Sequence, residues 1–256
     1  MLALAIGSID YGYPWWLSYG HLPILVVGLA IGLFGYVRKW SRGPMLFVGA
    51  LILWSGAALL IERFVINVKG RPTLPTQSFL AAGAGRVLDL GPGPADRRSM
   101  VLEARPQATL VALDLFGQSF DQHFGRGETP QDRLLANLKA AGVDQRATIA
   151  TADMRKLPFE PAAFDAVVSA YAIDHLNRQG TDQALAEAAR VLKPGGELLL
   201  MIIANEKWAK FAFGPLLSNG GPRGATWWTT HVRQAGFQIL EQGTRPLTFY
   251  LLSRRL

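Results

Sequence analysis

Val87-Leu88-Asp89-Leu90-Gly91-Pro92-Gly93-Pro94-Ala95 is an apolar run that ends in an acid and breaks into a turn of alternating glycine and proline. The order predicts a buried strand, a sharp turn and then a helix. Gly91 and Gly93 allow a tight turn and close approach of a ligand to the backbone, and a helix that follows offers free N–H groups. A glycine turn after a strand also arises for steric reasons alone, so this turn by itself leaves the chemistry open.

Outward from it, short β-type runs at residues 86–90, 110–113, 147–151, 166–170 and 198–203 alternate with helix-length segments at 96–104, 131–141 and 181–192. Each parallel crossover needs a helix to bring the chain back to the same sheet edge, so the alternation predicts an α/β, doubly wound sheet. A helix at 226–235 and strands at 237–242 and 247–253 close the chain, and two strands with no helix between them add a hairpin to that sheet. The second strand supplies a second acid. Leu110-Val111-Ala112-Leu113-Asp114 places a carboxylate at a strand end 25 residues after Asp89, where it can accept both hydroxyls of a ribose or cap a following helix.

The rest of the composition divides in two. The 256 residues carry a formal charge of +7, are half hydrophobic and contain no cysteine, which excludes disulfide frameworks, thiolate metal sites and cysteine nucleophiles. Residues 1–76 hold +4 of that charge, from six Lys/Arg and two acids, and the remaining 180 residues hold +3. A nearly balanced larger part argues against a nucleic-acid surface, and His21, His123 and His231 stand apart with no metal-ligand spacing. Stretches 11–37 and 43–61 contain no Asp, Glu, Lys or Arg, and both are long enough to cross a bilayer. They predict transmembrane helices at about 17–37 and 44–66, with Trp15, Trp16 and Tyr19 as an interfacial belt and Arg38, Lys39, Trp40 and Arg42 as a basic turn between them. Residues 1–66 then form a membrane-anchoring region, in which 1–9 adds a short apolar piece. Residues 67–85, rich in Gly and Pro, form a linker, and 86–256 form the α/β domain.

Further landmarks follow in order: Asp153-Met154-Arg155-Lys156-Leu157-Pro158-Phe159, Phe164-Asp165-Ala166-Val167-Val168-Ser169, and Ala186-Glu187-Ala188-Ala189-Arg190-Val191-Leu192-Lys193-Pro194-Gly195-Gly196. With the turn at Gly91 and the acid at Asp114, the chain resembles the class I S-adenosylmethionine-dependent methyltransferases, in the branch of the ubiquinone/menaquinone methyltransferases. The resemblance runs from about residue 86 to 253 and implies a Rossmann-like sheet with S-adenosylmethionine as cofactor. It implies that Gly91 and Gly93 pass close to the methionine part of the cofactor, with Asp89 supporting the turn. Asp114 would bind the ribose hydroxyls and Leu115 would pack on adenine. Asp153 would accept from the adenine amino group beside a backbone contact from Met154, and Ser169 and Ala170 would border the sulfonium. Lys193-Pro194-Gly195-Gly196 reads as a turn before the fifth strand. Ala95 stands where a third glycine is usual, and Pro92 and Pro94 leave few N–H donors, which suits a methionine tail better than a pyrophosphate.

Methyl transfer from a sulfonium is an in-line displacement that alignment and a dry site can promote, and a general base is needed only where the acceptor carries a proton on its attacking atom. Tyr171, Asp174 and His175, just past the fourth strand, are the candidate catalytic residues, with Asp174 and His175 as a possible pair or as a turn cap and a packing residue. The long connection 116–130 and the aromatic, Lys-containing segment 205–217 read as lids or as ordinary surface pieces. Together these features predict a membrane-anchored methyltransferase facing the cytosol, with the bilayer and a lipophilic small molecule or lipid as partners and with no nucleic acid or metal. A membrane-tethered S-adenosylmethionine sensor and a methyltransferase of membrane proteins are the alternatives.

Overall fold

The computed structural model describes residues 19–66, 73–91, 98–116, 129–206 and 223–256. Trp15, Trp16, Gly93, residues 1–9 and most of the two lid segments lie outside the described residues. The chain divides into two compact units.

In the N-terminal unit, α1 (His21–Val37) and α2 (Arg42–Leu60) form an antiparallel hairpin, and α2 continues as a π-helical turn, Ile61–Ile66. Glycine decides how the two helices meet. A Cβ on Gly28 would stand 3.1 Å from Ile52 Cγ1, and one on Gly35 would stand 2.8 Å from Trp40 Cε3 and 3.0 Å from Met45 Sδ. Gly28 and Gly32 are four residues apart, the spacing that lets two apolar helices approach closely. At the open end His21 Nδ1 lies 2.6 Å from Glu62 Oε1, with the Trp54 ring edge-on to the imidazole. The expectation of two spanning helices is corrected in part. Among the described residues only Arg42–Val65, of mean hydropathy 2.1, is long and apolar enough to cross a membrane. The 17 residues of α1 rise only about 25 Å, short of a hydrocarbon layer of about 30 Å.

The larger unit contains β1 (Ala84–Leu90), α3 (Arg98–Ala104), β2 (Gln107–Asp114), α4 (Pro130–Ala140), β3 (Ala147–Thr151), β4 (Phe164–Ala170), α5 (Arg178–Val191), β5 (Leu192–Ile203), α6 (Ala225–Gln234), β6 (Phe237–Arg245) and β7 (Thr248–Arg255). The strands make one seven-stranded sheet in the order β3-β2-β1-β4-β5-β7-β6. The first five are parallel, and β7 pairs antiparallel to both β5 and β6. Alternation along the strands divides the core between the two faces: Leu88, Leu90, Val167 and Leu198 pack with the buried side of α5 and α6, while Val87, Leu110, Ala166 and Val168 pack with α3 and α4.

Three local differences from expectation have physical causes. Helix α5 starts three residues early because the Asn177 side chain caps it, accepting from Gly180 N–H at 2.8 Å. Lys193-Pro194-Gly195-Gly196 lies inside β5 rather than before it. The pairing with β4 slips there, from Phe164 opposite Leu192 to Ala166 opposite Glu197, so the stretch is a bulge. Residues 73–83 pack on the sheet instead of forming a free linker. The Arg105 guanidinium donates to the carbonyls of Phe79 and Gln77 at 2.8 and 2.7 Å, and Leu80 N–H donates to Glu197 Oε2 at 2.7 Å.

Candidate active site

The carboxyl ends of the parallel strands gather the predicted residues. β1 delivers Asp89 and then Gly91, whose N–H donates to the Leu113 carbonyl at 2.9 Å, so the turn after β1 is tied to the end of β2. Gly91 has φ +67, and a Cβ there would meet Ala172 Cβ at 2.3 Å and Met154 Cε at 2.8 Å. No side chain other than hydrogen fits. The structure thus brings three segments, the ends of β1, β3 and β4, into contact at one glycine.

Asp114 ends β2 with its side chain buried. Its Oδ1 accepts from Leu115 N–H at 2.8 Å, and its backbone carbonyl accepts from Ala152 N–H at 3.0 Å. Those bonds fix the carboxylate at the sheet edge beside Leu115, whose apolar side chain is half exposed and available to a flat ring. Asp89, the next-to-last residue of β1, is buried.

Other assignments change. Asp153 is held by Arg155, whose backbone N–H and fork donate to it, Nη2 at 2.6 Å from Oδ2. This hydrogen-bonded cation holds the Asp153 carboxyl below its usual range, so it is a weaker acceptor for an adenine amino group than an unpaired carboxylate. The Met154 side chain packs at Gly91, with Cε 2.8 Å from where a Cβ would stand. Ser169 is fully buried. Its hydroxyl donates to the Leu90 carbonyl at 3.1 Å and accepts from Ile173 N–H at 3.4 Å, so it joins β1 to the turn after β4. Ala170 does end β4 beside that turn.

The three candidate catalytic residues do not assemble into a base. Tyr171 has φ +55, its N–H donates to the Met201 carbonyl at 2.7 Å, and its hydroxyl hydrogen-bonds Thr248 Oγ1 on β7. Asp174 Oδ2 accepts from Ile203 N–H at 3.3 Å, while His175 is exposed, and no hydrogen bond joins the two side chains. Adjacent residues on a 3₁₀ turn point in different directions, which is why sequence adjacency did not produce a pair. A clamp that sequence reasoning missed lies behind the site. Glu187 Oε2 accepts from Leu157 N–H at 2.7 Å, and Arg190 donates to the Phe159 and Leu157 carbonyls, so α5 holds the loop that carries Asp153 and Met154. The Arg190 hydrogen bond keeps the Glu187 carboxyl below its ordinary value.

Residues 88–200 match the family model of a methyltransferase domain. The chain is 38% identical over 117 residues to a ubiquinone/menaquinone biosynthesis C-methyltransferase of Rhizobium leguminosarum bv. trifolii, a stretch that is 45% of this chain and 40% of that one. It is 34% identical over 122 residues, 48% of this chain and 44% of the other, to a demethylmenaquinone methyltransferase of Deinococcus radiodurans. The chain spans about two fifths of the length of the curated relatives it matches. In fold it is similar to an O-methyltransferase family protein from Burkholderia thailandensis, with a TM-score of 0.56 at 19% identity over 99% of this chain and 73% of that one. The chain therefore carries a methyltransferase domain of the S-adenosylmethionine-dependent kind, and S-adenosylmethionine is its implied cofactor.

The residues present fit that cofactor. A ribose diol needs an oriented carboxylate at a strand end, which Asp114 provides, next to a tight glycine turn, which Gly91 provides at φ +67. Among the described residues no cluster of His, Asp or Glu could hold a metal ion.

Proposed function

We propose that this protein transfers a methyl group from S-adenosylmethionine to a lipophilic small molecule or lipid, from the cytosolic side of a bilayer in which its N-terminal hairpin is inserted. The observation that carries the reading is the oriented carboxylate of Asp114 at the end of β2, beside the glycine turn that Gly91 N–H ties to Leu113, within a region that matches a methyltransferase domain. The cofactor, when bound, supplies an electrophilic methyl on a sulfonium. Gly91 would pass along the methionine part, Asp114 would hold the ribose and Leu115 would cover the adenine. The ends of β1 and β4 would exclude water from the methyl. The Tyr171 hydroxyl is engaged with Thr248, and Asp174 and His175 form no pair, so alignment and a dry site are the contributions proposed for these residues.

An apolar acceptor is favoured by the hairpin. Val27, Leu33, Leu46, Phe47 and Leu53 all face outward from it, an apolar surface that hydrocarbon suits and water does not. The two curated relatives are named for methylation of quinone precursors, and an acceptor of that kind, a ring on an apolar tail, is the one proposed here. Membranes containing the full chain, incubated with methyl-labelled S-adenosylmethionine, should yield label in the organic extract. Label only in protein would favour a membrane-protein substrate, and cofactor binding with no transfer to any fraction would favour a sensor.

A further inference from the structure

The hairpin's charge is confined to its ends, and the two ends differ. At the open end the carboxylate of Glu62 is buried against His21. At the closed end Arg38, Lys39 and Arg42 lie within five residues, all exposed, and none has a carboxylate partner among the described residues. Between the ends no Asp, Glu, Lys or Arg occurs in either helix.

The surroundings of the three cations are apolar. Tyr36 and Val37 precede them, Trp40 stands between them, and Leu46 and Phe47 follow in the next turn, all with exposed side chains. Phe34 packs edge-on to Trp40 and lies under the Arg38 guanidinium at 5.5 Å. A tip meant for bulk water would be collared by polar side chains. A collar of aromatic and aliphatic groups topped by exposed cations matches the boundary between acyl chains and phosphates, where aromatic rings sit at headgroup level and long basic side chains reach outward.

We infer that the turn formed by Arg38, Lys39, Trp40 and Arg42 is a binding surface for the phosphates of anionic phospholipid headgroups. The inference rests on the bilayer reading of the hairpin and names the lipid class that its tip selects. Three positive charges and no negative one complement an anionic leaflet, and the preference for anionic over neutral lipid should reach roughly 100-fold.

The test is flotation of the full chain with phosphatidylcholine vesicles, with and without phosphatidylglycerol, over a range of salt, for the parent chain and the triple variant Arg38→Gln, Lys39→Gln, Arg42→Gln. S-adenosylmethionine binding serves as the check that the variant is folded. The expected result is tighter, salt-sensitive association with the anionic vesicles, loss of that preference in the variant, and retained association of both proteins with phosphatidylcholine. Soluble glycerol phosphate should not displace the parent chain. Equal binding of the parent chain to both vesicles, or an anionic preference that survives in the variant, overturns the headgroup surface and leaves the bilayer reading standing. Failure to float with either vesicle overturns the bilayer reading itself, and the inference with it.

Discussion

Gly91→Ala is the sharpest probe of the site. The residue sits at φ +67, where an L side chain costs about 1–2 kcal/mol. The added methyl would also lie 2.3 Å from Ala172 Cβ and 2.8 Å from Met154 Cε. The methionine tip can swing away, but the alanine methyl moves only with its backbone, and overpacking of that sort costs about 1–3 kcal/mol. Loss of glycine's freedom in the unfolded chain returns about 0.4–1 kcal/mol. The net expectation is a destabilisation of about 3 kcal/mol, measured by urea unfolding, together with a loss of S-adenosylmethionine affinity in calorimetry, because the turn after β1 must separate from the turn after β4. Adding Ala172→Gly removes the nearest atom and leaves the Met154 Cε at 2.8 Å, the end of a flexible side chain, and Ala172 Cα at 3.7 Å. The double variant should therefore recover the steric part of the loss and keep the backbone part. A single variant as stable as the parent, with unchanged affinity, would falsify the close approach at Gly91 and the cofactor placement built on it.

Three further outcomes are expected. Asp114→Ala should abolish measurable S-adenosylmethionine binding while the sheet stays folded by circular dichroism; unchanged affinity removes the ribose assignment. Glu187→Gln should cost about 1–2 kcal/mol at neutral pH, through weakened bonds to Leu157 N–H and Arg190. Because the Glu187 carboxyl titrates below its ordinary 4.5 when folded, its contribution is fully present above that value and lost as pH falls through the folded one. Parent and variant stabilities should therefore converge in acid, and a pH-independent gap contradicts the clamp. Tyr171→Phe and Thr248→Val should each weaken the unfolding free energy by about 1 kcal/mol, with non-additive effects in the double variant. Neither should shift the pH dependence of methyl transfer, and a shift caused by Tyr171→Phe alone would restore the tyrosine as a base.

Much of the larger unit was legible because its signals are local. Each parallel strand shows as an apolar run of four to eight residues, and Asp89, Gly91 and Asp114 stand where strand ends must lie. What escaped was nonlocal or opposed by a local signal. Gly180 obscured the start of α5, since glycine in a first turn looks like a break until the Asn177 cap is seen. Arg155 was visible two residues beyond Asp153, yet nothing in the spacing says that its fork closes back on that carboxylate. Asp174 and His175, adjacent in the chain, are separated by the direction of a 3₁₀ turn and by the pull of the Ile203 amide. In the hairpin, apolar length was plain, but the glycine face at Gly28, Gly32 and Gly35 takes its meaning only from the partner helix.

The sequence by itself determined the alternation of strands and helices, the two acids and the glycine turn at the sheet's edge, and the separation of an apolar basic segment from a balanced domain, because periodicity, turn chemistry and charge are written residue by residue. Only the tertiary structure decided that β7 inserts between β5 and β6, that Ser169 and Tyr171 spend their hydroxyls on Leu90 and Thr248, and that Gly91 must be glycine. Those outcomes depend on residues far apart in the chain meeting within a few ångströms, as Ala172 meets Gly91 81 positions away and Thr248 meets Tyr171 77 positions away, and no local pattern encodes such a meeting.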